Sequence, residues 1–180
     1  MHRLLWTLVE IAADETPGRI DLIEVFIHRD NSLTFSSRGQ SMAVEQVSDT
    51  SVPTPMISFT RLPRAMRENP LFVHPDRISP VVVNALSAWL RVESHRDGKV
   101  YRQAFAAGEP TTPVIEESRS GSDSGTTITF LPDPEIFDAT TWSLPLLQER
   151  LGTAASEAGV RIRLTDERTA DWTEEYGPPT

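Results

Sequence analysis

The dipeptide Asp97-Gly98 is the strongest single constraint on the fold, because it separates two β-rich runs, Arg91–Arg96 and Val100–Phe105. Asp-Gly tolerates the positive φ angles of a two-residue turn, so this pattern predicts a β-hairpin. The two strands of a hairpin run antiparallel. The pattern therefore favours a fold with an antiparallel or mixed sheet.

The first part of the chain adds a helix and a second hairpin. In residues 2–14, apolar side chains recur at helical spacing, which predicts an amphipathic helix. Asp21–His28 and Ser32–Ser36 are β-rich, and Asp30-Asn31 between them suits a turn. Residues 37–79 are rich in proline and have no sustained period, so we expect loops there with one short helix.

The second part continues the mixture of helices and strands. Ser79-Pro80 suits the start of a helix, which we expect to run through Leu90. The polar segment Glu116–Ser124 predicts a mobile connector. Apolar patterns predict three further elements: a strand at Thr126–Phe130, a helix at residues 143–158 and a strand at Val160–Thr165.

Helices and strands that mix without strict alternation favour an α+β fold with an antiparallel or mixed sheet. The chain has 180 residues, which suits one domain. We place that domain at residues 1–169. Residues 170–180 end in Gly-Pro-Pro-Thr and are expected to form a flexible C-terminal tail.

Composition excludes several classes of function. The formal charge of −9 repels a phosphate backbone, so no direct DNA binding is expected. The absence of cysteine excludes disulfides and thiolate chemistry and fits a cytoplasmic protein. The sequence contains no signal-peptide pattern and no apolar run of about 20 residues, so we expect no membrane segment. The four histidines lack metal-ligand spacing.

Three segments identify a related family: Val82–Ser87, Arg96–Gln103 and Gly125–Phe137. They closely resemble the ATPase domain in the B subunits of bacterial DNA gyrase and topoisomerase IV, of the GHKL superfamily with the Bergerat fold. The resemblance extends from Met1 to about Thr169 and is weakest between the first strands and Val81. It implies a mixed, largely antiparallel sheet covered on one face by α-helices, with ATP and magnesium held between them.

The catalytic positions that the resemblance implies are occupied by the wrong side chains. In the family, a glutamate on the first helix activates water, and an asparagine four residues later binds magnesium. The matching residues here are Thr7 and Ile11. Threonine is not a general base near neutral pH, and isoleucine offers magnesium no oxygen. Glu10 is displaced around the helix from Thr7, so its use as a substitute base is geometrically strained. We therefore expect no catalytic residue, no metal ligand and no ATP–magnesium cofactor.

The resemblance also marks four possible remnants of a ligand-binding site. Ser37 replaces the aspartate that accepts the adenine amino group, Gly39 retains one loop glycine, and Ser41 replaces the next. Thr126 matches a threonine that helps to hold adenine, and Arg96 matches an arginine that aminocoumarin inhibitors contact. Ser37, Gly39, Arg96 and Thr126 thus form the predicted site, although Thr126 and Arg96 also suit ordinary structural roles.

The glycine-rich, phosphate-binding lid of the family aligns with a segment of this chain that contains no glycine. Its glycine-rich sequence aligns with Val73–Ser79, where Pro75 removes one N–H donor and Asp76 adds a negative charge. The chain contains no glycine between Gly39 and Gly98, so this conclusion does not depend on the alignment. The family's N-terminal arm, transducer and DNA-cleavage modules are also not found, so strand passage by this polypeptide alone is not expected.

These observations predict a catalytically degenerate, stand-alone homologue of the ATPase domain. The preferred hypothesis is a pseudoenzyme that acts through protein interaction, with a topoisomerase subunit or another protein as its partner. An alternative is a binding protein for a nucleoside or an aminocoumarin-like molecule. An active ATPase with relocated catalytic residues is a third alternative, and a decaying gene fragment is a fourth.

Overall fold

The computed structural model describes residues 1–14, 20–39, 59, 79–96, 98–121, 123–169 and 172–178. Within these ranges the chain forms three helices, α1 (Arg3–Asp14), α2 (Pro80–Ala85) and α3 (Leu144–Ala158). Nine strands accompany them: β1 (Ile20–Ile27), β2 (Leu33–Gly39), β3 (Ser87–Arg96), β4 (Lys99–Ala106), β5 (Glu109–Pro110), β6 (Ile115–Ser118), β7 (Gly125–Pro132), β8 (Arg161–Asp166) and β9 (Trp172–Tyr176).

The strands form one sheet in the order β5-β4-β3-β7-β2-β1-β8-β9, and β6 pairs with β4 at the first edge. Strands β1 and β8 run parallel. The other pairings among the described strands are antiparallel. The predicted α+β fold with a mixed, largely antiparallel sheet is confirmed.

One face of the sheet is buried under α1 and α3, because alternate residues of the central strands point to it. Paired residues of β1, β2, β7 and β3 line up across this face in three rows. The first row is Ile27, Leu33, Phe130 and Leu90, the second is Val25, Phe35, Ile128 and Val92, and the third is Ile23, Ser37, Thr126 and Ser94. All twelve side chains are buried, but only the third row carries hydroxyl groups.

Both predicted hairpins are present. At the turn between β1 and β2, the His28 N–H donates to the Ser32 carbonyl at 2.9 Å, and Asn31 takes a positive φ of 64°. Strands β3 and β4 are joined at Gly98, whose φ is 71°. Asp97, the other residue of this predicted turn, lies outside the described residues.

The predicted helix from Ser79 to Leu90 is too long. Helix α2 ends at Ala85, and the Ser87 hydroxyl donates to the Val83 carbonyl at 2.6 Å where β3 begins. Leu90 belongs to β3 and lies opposite Phe130 of β7. A short apolar run suits helix and strand alike, and pairing with β7 decides the outcome here.

The polar segment Glu116–Ser124 is not wholly a connector, because β6 pairs with β4 through residue 118. Across this pairing, Lys99 contacts Glu116 at 2.6 Å, and Arg102 forms an ion pair with Glu117. Charged side chains on an edge strand thus find partners on the neighbouring strand. A sequence window that includes only one strand does not show such pairs.

The tail predicted as flexible contains strand β9, which corrects that expectation for residues 172–176. Strand β9 pairs antiparallel with β8, and the side chains of Trp172 and Tyr176 pack against the hydrophobic cluster. The segment Trp-Thr-Glu-Glu-Tyr places its two aromatic residues on the same face of a strand, which is the physical reason for its order.

Part of the sequence prediction concerns residues that the structure does not describe. The loops and short helix expected in residues 40–58 and 60–78 lie outside the described residues. Phe59 is described and is buried, and its carbonyl accepts a hydrogen bond from the Asn84 side chain at 2.9 Å. Among the described helices, none combines the length and the apolar character that crossing a bilayer requires.

Candidate functional site

Helix α1 carries the two positions where the sequence predicts the loss of catalytic groups. Thr7 is 4% exposed, and its hydroxyl donates to the carbonyl of Arg3 at 3.0 Å. Ile11 is partly buried against the hydrophobic cluster. Glu10, the alternative base, is half-buried on the same helix. The Thr7 hydroxyl is therefore engaged within its own helix, and neither position presents a carboxylate.

The residues present do not fit a magnesium ion at this position. Magnesium prefers carboxylate, carbonyl and water oxygens, and the Ile11 side chain has none. Within the described ranges, no group of three or more histidine, aspartate or glutamate side chains could hold a metal ion. The side chains of Thr7 and Ile11 thus do not match the base and the magnesium ligand that the resemblance implies at these positions.

Strands β2 and β7 bring three of the four predicted ligand-binding residues together. Ser37 lies directly opposite Thr126 in the antiparallel ladder, and both side chains are 1% exposed. Gly39 follows at the end of β2, where its N–H donates to the Ser124 carbonyl at 3.1 Å. The predicted cluster of Ser37, Gly39 and Thr126 is therefore one contiguous site at the end of two neighbouring strands.

Close backbone contact fixes this end of the sheet. A Cβ atom on Gly125 would lie 2.5 Å from the Ser37 carbonyl oxygen, which is too short for any side chain. Gly39 has a φ of 122°, in the region that favours glycine. Two glycines therefore set the geometry beside Ser37 and Thr126, one by its lack of a side chain and the other by its backbone conformation.

A cavity of about 850 Å³ opens at the same strand ends. Its lining includes the predicted residues Ser37, Gly39 and Thr126, together with charged and polar side chains of the flanking strands and loops. Arg38 is 65% exposed there and contacts Glu24 at 2.9 Å. The cavity is large enough for a small organic molecule.

Arg96 is not brought into this cavity. It is exposed at the end of β3 and lies opposite Lys99 in the hairpin. Among the described residues, the arginines of the lining are Arg38 and Arg119, and His95 lies beside them. The sequence-predicted lid residues 73–78 and Ser41 lie outside the described residues. Ser79 is described, and its buried hydroxyl has no hydrogen-bond partner.

Sequence reasoning missed Ser94, which completes the hydroxyl-bearing part of the third row. Ser94 is fully buried on β3 opposite Thr126, and its hydroxyl has no hydrogen-bond partner. The Ser37 hydroxyl is likewise buried and unpaired. The signal was present in the sequence, because alternation along β3 places Ser94 on the same face as Leu90 and Val92.

Sequence reasoning also missed a series of contacts that links the side chains of Arg119, His95 and Glu93. The His95 Nε2 atom lies 2.6 Å from Glu93, and Arg119 lies 2.7 Å from His95 Nδ1. Since arginine only donates, Nδ1 accepts and Nε2 carries the proton that is donated to Glu93. Burial of Glu93 favours its neutral form, but hydrogen bonds from Arg102 and His95 hold the pKa of its carboxyl below the ordinary value.

Within the described part of the chain, the site offers hydroxyl groups and backbone amides and shows no nucleophile activated by a base. Ser37 and Ser94 have no contact with a histidine, carboxylate or lysine that could remove a proton. Neutral hydroxyls donate and accept hydrogen bonds. Among the described residues, the arrangement therefore offers hydrogen-bond donors and acceptors at the strand ends.

Comparison with known proteins gives consistent relatives, although the chain matches no protein-family model. It is 38% identical over 176 residues to the B subunit of the type 2 topoisomerase of Aquifex aeolicus, with 93% of this chain and 22% of the relative covered. It is 36% identical to the DNA gyrase B subunit of Haloferax volcanii, with 94% and 28% covered. It is also 36% identical to the DNA topoisomerase 4 B subunit of Streptococcus pneumoniae, with 94% and 27% covered. The chain thus spans about a quarter of the length of these relatives.

A solved structure shares the fold. The chain superposes on the 43K ATPase domain of Thermus thermophilus gyrase B, which was solved in complex with an aminocoumarin, with a TM-score of 0.80. The two sequences are 28% identical, and the match covers 98% of this chain and 45% of the other. The likeness therefore extends over the sheet and its helices.

Proposed function

We propose that this chain, a homologue of the ATPase domain of type II topoisomerase B subunits, keeps the fold of that domain and does not hydrolyse ATP. The observation that carries the proposal is the hydrogen bond made by the Thr7 side chain. Its hydroxyl donates to the Arg3 carbonyl within α1, at the position where the resemblance implies a general base. A threonine hydroxyl is not a general base near neutral pH, so it does not remove a proton from water.

Ile11 supports the same conclusion. It lies one helical turn after Thr7 and packs against the hydrophobic cluster, at the position where the resemblance implies the magnesium ligand. Two functional positions on one helix face thus carry side chains that serve packing. The loss of the general base alone would lower the rate of ATP hydrolysis. When the magnesium ligand is lost as well, α1 supplies neither of the two groups that the resemblance implies for the reaction.

A phosphate-release assay tests this proposal directly. The purified chain is incubated with ATP and magnesium, and the 43K ATPase domain of Thermus thermophilus gyrase B serves as the positive control. The expected result is a rate equal to that of the chain without magnesium. Magnesium-dependent release at a rate comparable with the control would overturn the proposal and would favour relocated catalytic residues.

A domain that keeps its fold without hydrolysis acts by binding, and we propose a protein partner of the topoisomerase type. The support is that the relatives found by comparison are named as subunits, which work within larger assemblies. The test is size-exclusion chromatography of the chain mixed with the purified topoisomerase subunits of its own source at physiological salt. Co-elution supports this partner, and separate elution of every pair counts against it.

A second candidate function, binding of a small molecule, is favoured by one specific observation. The buried hydroxyls of Ser37 and Ser94 have no partners, and Ser37 lines the cavity at the strand ends. The solved relative with an aminocoumarin bound supports a ligand of that type, and the resemblance supports a nucleoside. At 100 times its Kd, a ligand stabilises the folded state by about 2.7 kcal/mol, which a thermal-shift titration detects. A titration with adenosine and an aminocoumarin that produces no shift would remove this candidate.

A further inference from the structure

Three hydrogen-bonded side chains lie on the outer face of the sheet, which is the face turned away from α1 and α3. His28 follows β1 and lies between the other two. Its Nδ1 atom is 3.0 Å from a carboxylate oxygen of Glu167, and its Nε2 atom is 2.7 Å from the hydroxyl oxygen of Thr34. We call these three side chains the His28 triad. A carboxylate, an imidazole and a hydroxyl group joined in this order are the arrangement by which many enzymes activate a hydroxyl nucleophile.

The carboxylate fixes the direction of the hydrogen bonds in the triad. An ionised carboxylate only accepts, so the Nδ1 atom of His28 carries a proton and donates it to Glu167. The Nε2 atom of the neutral imidazole then accepts, and Thr34 donates to it. The Thr34 oxygen in turn accepts from the hydroxyl of Thr129, 2.9 Å away on β7. The hydroxyl proton of Thr34 therefore already points at a base.

Backbone contacts hold the members of the triad in place. The Glu167 N–H donates to the Ile27 carbonyl at 2.9 Å, next to His28. The turn that follows His28 is closed by its N–H, which donates to the Ser32 carbonyl. Thr34 lies inside β2, where β1 and β7 pair with it on either side. Groups supported by regular elements keep their geometry better than groups on free loops.

Other polar groups on the strands lack this combination. The hydroxyls of Thr165 and Thr173 pair at 3.1 Å, and among the described residues no histidine bonds to either of them. His95 also contacts a glutamate, at 2.6 Å, but Arg119 donates to its other ring nitrogen. Of the described histidines, His28 is the one that joins a carboxylate to a hydroxyl.

The triad is accessible from solvent. The side chains of His28 and Glu167 are 30% and 38% exposed, and Thr34 is partly exposed. A cavity of about 550 Å³ lies beside the imidazole, and its lining includes His28 and Glu167. A small molecule therefore reaches the imidazole, and the Thr34 hydroxyl lies one hydrogen bond further on.

We propose that Thr34 is a nucleophile that accepts an acyl group from a short, activated ester. His28 is its base, and Glu167 is the positioning residue that orients the imidazole. This reaction goes beyond the functions proposed above, because it uses neither α1 nor the cavity at the strand ends.

The acyl transfer needs no further reactant. The Thr34 oxygen bonds to the carbonyl carbon of the ester while its proton moves to the Nε2 atom of His28, and Glu167 stabilises the resulting imidazolium. The Thr129 hydroxyl, which donates to the Thr34 oxygen before the attack, then donates to the oxyanion on the same carbon. The bond to the leaving oxygen breaks, and the leaving alcohol takes that electron pair and the proton from His28. The products are an acyl ester of Thr34 and a free alcohol.

A neutral hydroxyl stabilises an oxyanion less than a pair of aligned backbone N–H groups, so the test uses an ester that reacts readily. The chain is mixed with p-nitrophenyl acetate, and the release of p-nitrophenolate is recorded together with the mass of the protein. The expected result is a burst of p-nitrophenolate and one acetyl group that peptide mass spectrometry locates on Thr34. Hydroxylamine removes this ester and leaves acetyl amides on the N-terminus and on Lys99, the one lysine of the chain.

Four substitutions connect the acetylation to the triad. Thr34→Val should abolish the hydroxylamine-sensitive acetyl group, and Thr34→Ser should retain it. His28→Gln should lower the rate of acetylation by about 100-fold or more, which is the usual contribution of a general base. Glu167→Gln should lower the maximal rate by about tenfold or more and leave the ester concentration at half-maximal rate unchanged, because it affects the imidazole and not binding.

Thr165→Val is the matched control, since it removes a hydroxyl from a cross-strand pair that has no histidine. It should leave the burst unchanged, and circular dichroism shows whether each variant is folded. An unchanged burst in Thr34→Val would overturn the proposal, because the imidazole alone would then react with the ester. Equal acetylation of Thr34 and Thr165, or an unacetylated Thr34 in the wild type, would overturn it as well. If Thr34→Val does not fold, the mapped position and the His28→Gln rate decide, and the phosphate-release assay for ATP hydrolysis is unaffected by any of these results.

Discussion

Ser94 of β3 lies directly opposite Thr126 of β7, yet the Ser94 hydroxyl is fully buried without a hydrogen-bond partner. A buried unpaired hydroxyl destabilises a fold by about 1–3 kcal/mol. Ser94→Ala is therefore expected to raise the free energy of unfolding by about 1 kcal/mol in the absence of ligand, as measured by urea denaturation.

Ser87 provides the matched control for this substitution. It is equally buried on the same strand, but its hydroxyl donates to the Val83 carbonyl at 2.6 Å. Ser87→Ala should lower the free energy of unfolding by about 1 kcal/mol. Equal effects of the two substitutions would show that the Ser94 hydroxyl is paired in solution.

Thr7→Val tests whether the Thr7 hydroxyl serves only its own helix. Valine has nearly the same shape, and a hydroxyl bonded to the carbonyl four residues earlier adds little to helix stability. The free energy of unfolding should change by less than about 1 kcal/mol, while Leu8→Ala in the core should cost about 2–5 kcal/mol. A loss of magnesium-dependent phosphate release in Thr7→Val would instead assign a catalytic role to the hydroxyl.

Gly125→Ala and Gly152→Ala should have opposite effects on stability. A Cβ at residue 125 would lie 2.5 Å from the Ser37 carbonyl oxygen, so strands β2 and β7 must separate, at a cost of about 1–3 kcal/mol. In α3, the nearest atom to a Cβ at residue 152 is 3.5 Å away, which is an ordinary contact. Alanine favours a helix, so Gly152→Ala should stabilise by up to about 1 kcal/mol. Thermal denaturation of the two variants measures both changes.

Arg168→Ala should be strongly destabilising, because the buried Asp166 would lose its charged partner. Arg168 donates to Asp166 at 2.8 Å and to the Trp142 carbonyl at 3.0 Å. A buried carboxylate left unpaired costs about 3–5 kcal/mol, and Asp166→Asn added to Arg168→Ala should recover part of it. Chemical denaturation at pH 7 checks this, and full tolerance of the single substitution would contradict it.

The same pair predicts a dependence on pH. The hydrogen bond from Arg168 is the main reason that the pKa of Asp166 lies below its ordinary value, despite burial. The pair therefore contributes stability above about pH 4, and this contribution is lost as the pH falls further. Denaturation of Asp166→Asn between pH 5 and pH 3 should show a shallower loss of stability than the wild type.

His2 predicts a separate change near neutral pH. Its Nε2 atom accepts a hydrogen bond from the Ser143 N–H at 2.9 Å, where α3 begins. Burial, and then the positive charge of the N-terminus, lowers the pKa of His2. Since the unfolded chain binds the proton more readily, stability should fall as the pH drops below about 6.5. His2→Gln removes this titration, so its stability should change less between pH 7 and pH 5.

The sequence predicted those elements whose patterns are local. The helix at residues 2–14 and the hairpin at Asp30-Asn31 were correct, because each depends on apolar spacing or on a short turn. The end of α2 at Ala85 and the strand at Trp172–Tyr176 were not predicted. Both depend on partners elsewhere in the chain, on β7 for Leu90 and on β8 for β9, which a local window does not include.

The residues of the candidate site also fall into those that the sequence located and those that depend on strand pairing. Ser37, Gly39 and Thr126 were located by resemblance, and the pairing of β2 with β7 brings them together. Arg96 was assigned to the same site, but the structure places it at the exposed end of β3. Ser94 was overlooked because its meaning depends on register: only the pairing of β3 with β7 places it beside Thr126. Its neighbour His95 acquires a role only through Arg119, 24 residues later in the chain.

The parallel pairing of β1 with β8 has a consequence for synthesis on the ribosome. About 130 residues are synthesised between β1 and its second neighbour, β8, which takes roughly 10 s at elongation rates of about 5–20 residues per second. During that interval the backbone edge of β1 that later pairs with β8 has no neighbouring strand. A nascent chain in this state exposes unpaired backbone groups that favour aggregation. Its yield in the cell should therefore depend on chaperones that cover this edge until β8 has been synthesised.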